Sequence, residues 1–313
     1  MTLCSVLVPA FNVQPFIAEA VESALNQTYP EVEVVVVNDG STDETARVLE
    51  PYRDRITYVE QPNQGLGAAR NRALREARGE VIALLDGDDV MFPSRLERVI
   101  GLLDQQPGLG FATTDAYFLR DGVSDETRYY AAVPGGFRSE NQSYWILDYN
   151  FVFGMVVIRR KLFDLHGMFD ESLRTSEDWD LWIRFILGGE RVGLVPEPLA
   201  YYRRRAESLS QDSSQIFDDA LTLVERALHR PETRTIPGLG TTLYRRGLHT
   251  LVLGDTRRSR RFFWATARDR TSAFSLRGKA VALALMPRFG RRLYRRRHPA
   301  MFEAITRIGT PQV

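Results

Sequence analysis

Three carboxylates, Asp86, Asp88 and Asp89, follow directly on the apolar residues 81–85 in "VIALLDGDD". An Asp-x-Asp pair at the carboxyl end of a strand can hold a hard divalent cation through oxygen, and the cation can grip a diphosphate. The plainer reading is a solvated Asp-Gly turn with an aspartate capping the next helix. A second acidic group, Glu177, Asp178 and Asp180, opens a predicted helix. It could supply a general base for an attacking hydroxyl, or merely offset the helix dipole at about 0.3–1 kcal/mol per acid. Trp179 and Trp182, three apart, share a helix face and serve either as a platform or as core. Asp39 in "NDGSTD" could accept a hydrogen bond from a nucleobase imide or cap a helix, and Ser41 and Glu44 have capping-box spacing. "GLGAARN" fails as a dinucleotide fingerprint because Arg70 stands where the last glycine belongs; its glycines let the chain pass close to a ligand.

These residues need elements to hold them. "CSVLVPA", "EVEVVVVN", "RITYVEQ" and "EVIALL" read as strands. "FIAEAVESALNQ", "GLGAARNRALREAR" and "SRLERVIGLLDQQ" show apolar residues at helical spacing. Strands alternating with helices predict a Rossmann-like, mostly parallel α/β sheet with helices on both faces. Ligands of such sheets bind at the carboxyl ends of the strands, where residues 9–12, 38–43, 63–67 and 86–89 all fall. Further on, "FATTDAYFL" and "FVFGMVVIRR" read as strands, and "SEDWDLWIRFILGG" as a helix. From the polar "SQDSSQ" stretch onward the chain reads as helical, so the expected division is a domain of residues 1–212 and a smaller α-helical region of 213–313.

A net charge of +1 over 313 residues hides a split. Residues 1–225 carry 21 Lys+Arg against 36 Asp+Glu; residues 226–298 carry 19 against 3. Such asymmetry implies different partners for the two regions. The single cysteine excludes an internal disulfide and a cysteine zinc site. No apolar run approaches the ~20 residues of a membrane span, and "MTLCSVLVPAFN" reads as a strand rather than a signal peptide, so the cytoplasm is the expected compartment.

Taken in order, "VPAFN", "VVNDGSTD", "GLGAARN", "LLDGDD", "GMFDESL" and "SEDWDLWIR" resemble the inverting family 2 glycosyltransferases of the GT-A fold, across roughly residues 3–210. The resemblance implies transfer of a sugar from a nucleotide-diphospho-sugar, expected to be a UDP-sugar, to an acceptor hydroxyl in cell-surface polysaccharide or glycolipid synthesis. It places Pro9, Phe11, Asn12 and Asp39 around the nucleotide base with Arg70 nearby, and Asp86 at the ribose. Asp88 would hold Mn²⁺ or Mg²⁺ on the diphosphate, Asp178 would be the catalytic base, and Glu177 and Trp179 would serve the acceptor. Three departures stand out: Phe11 where the family often has Tyr, which loses a hydroxyl contact and keeps the stacking ring, Gly87 where it often has Ala or Ser, and Arg205 of "YRRR" where it has His. Histidine can ligate a metal; arginine pairs with phosphate oxygens instead.

The Arg-rich region competes between a solvated helical face, a nucleic-acid surface and a peripheral contact with an anionic membrane, where each Lys or Arg adds ~1 kcal/mol. No nucleic-acid recognition motif supports the second. Membrane contact through residues 226–298 would place the protein at the inner face of the membrane. "LYRRGLHTLVLGDTRRSRRFFWATARD" resembles one tetratricopeptide-like helix–turn–helix. The alternatives for the whole chain are a non-catalytic nucleotide-sugar-binding or scaffold protein, whose mark would be loss of the metal or base carboxylates, and a nucleotidyltransferase, which lacks its Gly-rich phosphate loop here.

Overall fold

A computed structural model of the chain describes residues 2–120, 122–133, 135–205 and 213–308. They fall into two compact units, Met1–Gln142 with Asn150–Ser208, and Ser143–Tyr149 with Leu209–Val313. The expected boundary at residue 212 lies outside the described residues. The short segment Ser143–Tyr149 adds to the second unit a piece that the linear division left in the first.

The first unit is built on strands β1 (Cys4–Ala10), β2 (Val32–Asn38), β3 (Thr57–Glu60), β4 (Val81–Leu84), β5 (Val90–Met91), β6 (Phe111–Arg120), β7 (Val123–Arg128), β8 (Val156–Arg159) and β9 (Val192–Arg203). They join in one sheet of order β3-β2-β1-β4-β8-β6-β9-β5, with β7 paired to β6. β1 to β4 form its parallel part. Beyond β4 the sheet is mixed, because β8 runs antiparallel to both β4 and β6 while β9 runs parallel to β6. The expected strand "FVFGMVVIRR" is therefore shorter than its apolar run: only its second half pairs.

The helices up to residue 187 are α1 (Ile17–Leu25), α2 (Thr45–Leu49), α3 (Leu66–Glu76), α4 (Arg95–Gln105), α5 (Tyr129–Ala132), α6 (Gln142–Asp148), α7 (Lys161–His166) and α8 (Glu177–Leu187), of which α6 past Gln142 belongs to the second unit. α1 buries Ile17, Ala20, Val21 and Ala24, and α4 buries Leu96, Val99, Ile100 and Leu103. Both pack into one core with Cys4, Val6 and Val8 of β1 and Val34 and Val36 of β2. Each Val, Leu or Ile among them contributes roughly 1.5–3 kcal/mol when fully buried. Burial, with the Glu33 charge, also pushes the Cys4 thiol up to about 12, so it is an inert core residue.

Register explains where the polar loops go. Ala10 pairs with Asn38, Asn38 with Glu60, and Leu7 with Leu84, so the chain leaves β1, β2, β3 and β4 at one edge. α8 is seated by its apolar side. Trp182 is fully buried and stacks on Phe111 at 5.1 Å between ring centroids, with Phe185 edge-on to the same ring. That seat settles Trp182 as core and holds the acidic first turn of α8 in place.

The second unit is helical: α9 (Ser213–Ala227), α10 (Leu239–Leu253), α11 (Thr256–Arg268), α12 (Phe274–Leu285), α13 (Pro287–Arg297) and α14 (Pro299–Ile308). The expected helix–turn–helix is α10 and α11, turned at Gly254 (φ +94°) and capped where Asp255 accepts the Arg258 backbone N–H at 2.9 Å. At Gly247 a Cβ would stand 2.7 Å from the Phe263 ring, so glycine lets α11 come close. Among the described residues no helix is long and apolar enough to cross a membrane.

Replacing Trp182 by Ala empties the seat of α8. We expect a loss of about 3–5 kcal/mol in unfolding free energy, read from urea denaturation. A change below about 1 kcal/mol would mean that the ring is not core.

Candidate active site

The β1–α1 loop and the β2–α2 loop are stitched together first. Asn12, at φ +50°, donates its backbone N–H to Ser41 Oγ at 3.1 Å, and its Oδ1 accepts the Thr42 N–H at 2.8 Å. This overturns the capping-box expectation. Ser41 serves Asn12, and Asp43 Oδ1 takes the Thr45 N–H at 3.0 Å at the start of α2. Phe11, 45% exposed, presents a free ring face beside this stitch. Pro9 is buried inside β1.

Asp39 is also buried, and it is already engaged. Oδ1 accepts from Gln61 Nε2 (2.7 Å) and Gln64 N (3.0 Å), and Oδ2 from Gly65 N (2.9 Å). It caps no helix of its own segment; it organises the loop that enters α3. A carboxylate offers about four acceptor positions, so roughly one remains for a ligand. Gly65 takes a left-handed φ of +90°, and Gly67 has a different reason from the one expected. A Cβ on Gly67 would lie 3.2 Å from the Asp170 carbonyl, so the close approach is to the chain itself. Asn71 holds the same segment, donating to the Phe169 carbonyl at 2.9 Å and accepting its N–H at 2.9 Å.

Arg70 is the hinge of the second cluster. Its guanidinium is buried and forked, NH1 donating to Glu177 Oε1 and NH2 to Asp86 Oδ1, each at 2.6 Å. The residue expected near the base thus ties the β4 loop to the start of α8. Asp178 follows Glu177 as a half-buried residue; its Oδ1 accepts the Trp179 N–H at 2.6 Å, and the Asn150 side chain hydrogen-bonds it. Gly154 borders it as well. Trp179 is only 6% exposed, so its ring offers little surface to an acceptor.

The third cluster surrounds Asp88. Arg205 Nε lies 2.7 Å from Asp88 Oδ2, so the arginine at the histidine position pairs with the carboxylate meant for the cation. Arg203 donates Nε to the Asp88 carbonyl (2.7 Å) and NH2 to Glu19 (2.6 Å), and its backbone N–H reaches Asp89 Oδ1 (2.8 Å). Both guanidiniums lie over the Phe16 ring, at 4.7 and 5.4 Å. Asp89 therefore anchors the end of β9 and is not the cap of α4, which follows Ser94. Gly87 has a steric cause: its Cβ would meet the Pro9 carbonyl at 2.9 Å and Ile17 and Val13 at 3.2 Å.

Arg203, Asn150 and Asn71 were not picked out from the sequence. Only the run of arginines around Arg203 hinted at it; an isolated Asn carries no signal until the fold brings it to a carboxylate.

The charges do not balance. The contacts link Glu19, Asp86, Asp88, Asp89, Glu177 and Asp178 to Arg70, Arg95, Arg203 and Arg205, six acids to four guanidiniums. Four of the acids are held above their ordinary range. Burial and then the Asp86 charge raise Asp88, against the pull of Arg205. Burial, Asp88 and Asp86 raise Asp89 strongly. Burial raises Glu177 to about 7 although Arg70 pulls it down, and burial outweighs Arg70 at Asp178.

Asp88, with Asp86 beside it, offers hard oxygen donors to a divalent cation, and the uncompensated negative charge fits one. Among the described residues no three His, Cys, Asp or Glu side chains form a complete cage. A cation here would thus rest on one or two carboxylates and draw its remaining ligands from donor phosphates and water.

Residues 5–167, just over half of the chain, match the model of glycosyl transferase family 2. An uncharacterized glycosyltransferase of Rickettsia prowazekii is 34% identical over 187 residues, 58% of this chain and 58% of that protein. The uncharacterized glycosyltransferase EpsJ of Bacillus subtilis is 32% identical over 219 residues, 67% of this chain and 63% of its own. The chain thus spans under two thirds of the length of these relatives. Residues 1–349 of S. aureus TarS, solved with UDP-GlcNAc, superpose with a TM-score of 0.69 and 22% identity, covering 94% of this chain and 92% of that one. The mannosyltransferase PcManGT of Pyrobaculum calidifontis, solved with GDP-Man and Mn²⁺, gives 0.60 and 19%, covering 98% and 86%. At such identities the likeness is one of fold, and the fold is GT-A. The chain belongs to glycosyl transferase family 2.

Proposed function

We propose that this chain transfers a sugar from a UDP-sugar to an acceptor hydroxyl, with inversion, in the synthesis of a cell-surface polysaccharide or glycolipid. The observation that carries the reading is the fork of Arg70 between Asp86 and Glu177, which sets the diphosphate loop and the base-bearing turn of α8 at a fixed separation. The UDP-GlcNAc bound to TarS supports the donor class, and the name of a 30%-identical relative, the chondroitin synthase of Escherichia coli, supports a polysaccharide product.

The acceptor oxygen attacks the anomeric carbon from the face opposite the diphosphate. Its proton passes to Asp178, the carbon–oxygen bond to the diphosphate breaks, and the nucleoside diphosphate leaves. Phe11 offers a stacking face for the base beside Pro9 and Asn12, while Asp39 holds the adjoining loop and has one acceptor position left. Asp86 faces the ribose, and Glu177 supports the acceptor side through its tie to Arg70. Mn²⁺ or Mg²⁺, held at Asp88, would neutralise charge developing on the leaving diphosphate. Arg205, once released from Asp88, would pair with a phosphate oxygen. On this reading the protein works at the inner face of a membrane, touching anionic lipid through residues 226–298.

Asp178→Asn should lower turnover by about 10²–10⁴-fold with nucleotide affinity unchanged in calorimetry; near-normal transfer would remove Asp178 from the base role.

The pH dependence follows from the raised carboxylates. A raised value means that the proton stays on until higher pH, so the competent base is lost as pH falls through that value. The acid limb of kcat/KM should therefore lie well above the usual carboxylate range, as a property of the Glu177–Asp178 pair. Asp86→Asn removes the negative neighbour that helps burial to raise Asp178 and should move the limb to lower pH. An unmoved limb would uncouple the two residues.

Arg205 and a cation compete for Asp88. In donor-free protein, Arg205→Gln should bind Mn²⁺ about tenfold more tightly by titration, and Asp88→Asn should abolish that binding. Equal affinity in Arg205→Gln and the unaltered protein would contradict the competition.

A further inference from the structure

Between Asp269 and Glu303 the chain carries nine Lys and Arg and no acid. The fold sorts this segment into two faces. On the inner side, Ala280 and Ala284 of α12 pack with Leu251 and Phe263, Gly290 of α13 is buried, and Arg291 Nε donates to the Val252 carbonyl at 3.0 Å. On the outer side, Leu285 and Met286 at the α12–α13 junction are 60% and 55% exposed, and Phe289 is 62% exposed. Leu293 lies one helical turn beyond Phe289, and Arg292 and Arg296 share that stripe at helical spacing. Among the described residues Arg288, Arg292 and Arg296 have no ion-pair partner.

We propose that this outer face, Leu285, Met286, Phe289 and Leu293 with Arg288, Arg292 and Arg296, lies in the headgroup layer of an anionic membrane. The inference rests on the reading that residues 226–298 meet such a membrane, and it assigns the contact to one face. The chemistry selects the occupant. Arginines attract anionic headgroups, each adding about fivefold to partitioning, while the apolar side chains between them enter the acyl boundary. A nucleic-acid backbone would use the arginines and leave Phe289, Leu285 and Met286 without a role. A twofold contact with a second copy would set arginines against arginines with no acid between them.

The test is sedimentation of the whole protein with vesicles of phosphatidylcholine alone and of phosphatidylcholine with about 30% phosphatidylglycerol, at low and high salt. The unaltered protein should pellet with the anionic vesicles and not with the neutral ones. Phe289→Ser with Leu293→Ser should weaken the partition by at least about tenfold, and Arg292→Gln with Arg296→Gln by about twenty-fivefold. Both should keep the helical circular-dichroism signal and donor hydrolysis unchanged, because neither touches the site at Asp88 and Asp178. If the unaltered protein stays in solution, the membrane reading itself fails. If it pellets but the apolar pair of substitutions changes nothing, the contact lies elsewhere in 226–298 and this face is wrong. Self-association, or nucleic-acid binding that the apolar pair abolishes, would also overturn the assignment.

Discussion

A buried guanidinium forked between two carboxylates at 2.6 Å is the contact on which the rest of the site hangs. Arg70 sits on α3, Asp86 after β4 and Glu177 at the start of α8, so one side chain joins three elements far apart in the chain. A buried arginine without partners would be costly, and so would each carboxylate. Together the charges hold Arg70 firmly protonated: burial works against it, but Asp86 and Glu177 prevail. The planar fork matters as much as the charge, since lysine could not reach both partners at fixed geometry. What the bridge contributes is therefore placement. It sets the loop bearing Asp88 relative to the turn bearing Asp178.

The same logic explains the loop glycines and the asparagines. Gly87 permits the Asp86–Asp88 turn to lie against the Pro9 carbonyl, and Gly67 permits α3 to pass the Asp170 backbone. Asn71 and Asp39 fasten the neighbouring segments by hydrogen bonds to backbone groups. Much of the polar apparatus at this sheet edge thus holds chain against chain. Among the described residues gathered there, the ring of Phe11 and part of Asp86 stay open to solvent, Asp178 is half-buried and the carboxylate of Asp88 is enclosed.

This division explains which features were legible beforehand. The apolar runs of β1, β2 and β4 and the spacing of α1, α3 and α4 depend on local periodicity, so the sheet edge and the loops gathered there could be read directly. The roles of Ser41, Asp39, Asp89 and Gly67 could not, because each is decided by a partner 22 to 114 residues away. Ser41 and Glu44 have capping-box spacing, yet the Asn12 backbone N–H competes for the serine and wins. Trp182 was ambiguous for a related reason: helical spacing shows that two tryptophans share a side and says nothing of whether Phe111 waits there. Arg70 was legible as a residue of interest and illegible as a bridge.

The remaining question is why a folded protein tolerates a cluster with two more acids than guanidiniums. Stability alone would favour trimming it, since carboxylates held above their ordinary range weaken the folded state at neutral pH. Rules of local consistency are broken most often where a ligand completes the arrangement. Arg205 sharpens the point. It supplies positive charge to Asp88 within the chain itself, yet burial and Asp86 still keep Asp88 raised. One guanidinium is therefore an incomplete substitute, and further positive charge would still be favoured there. On the proposed reading a cation would relieve that repulsion, so the tension in the free protein would become affinity for it.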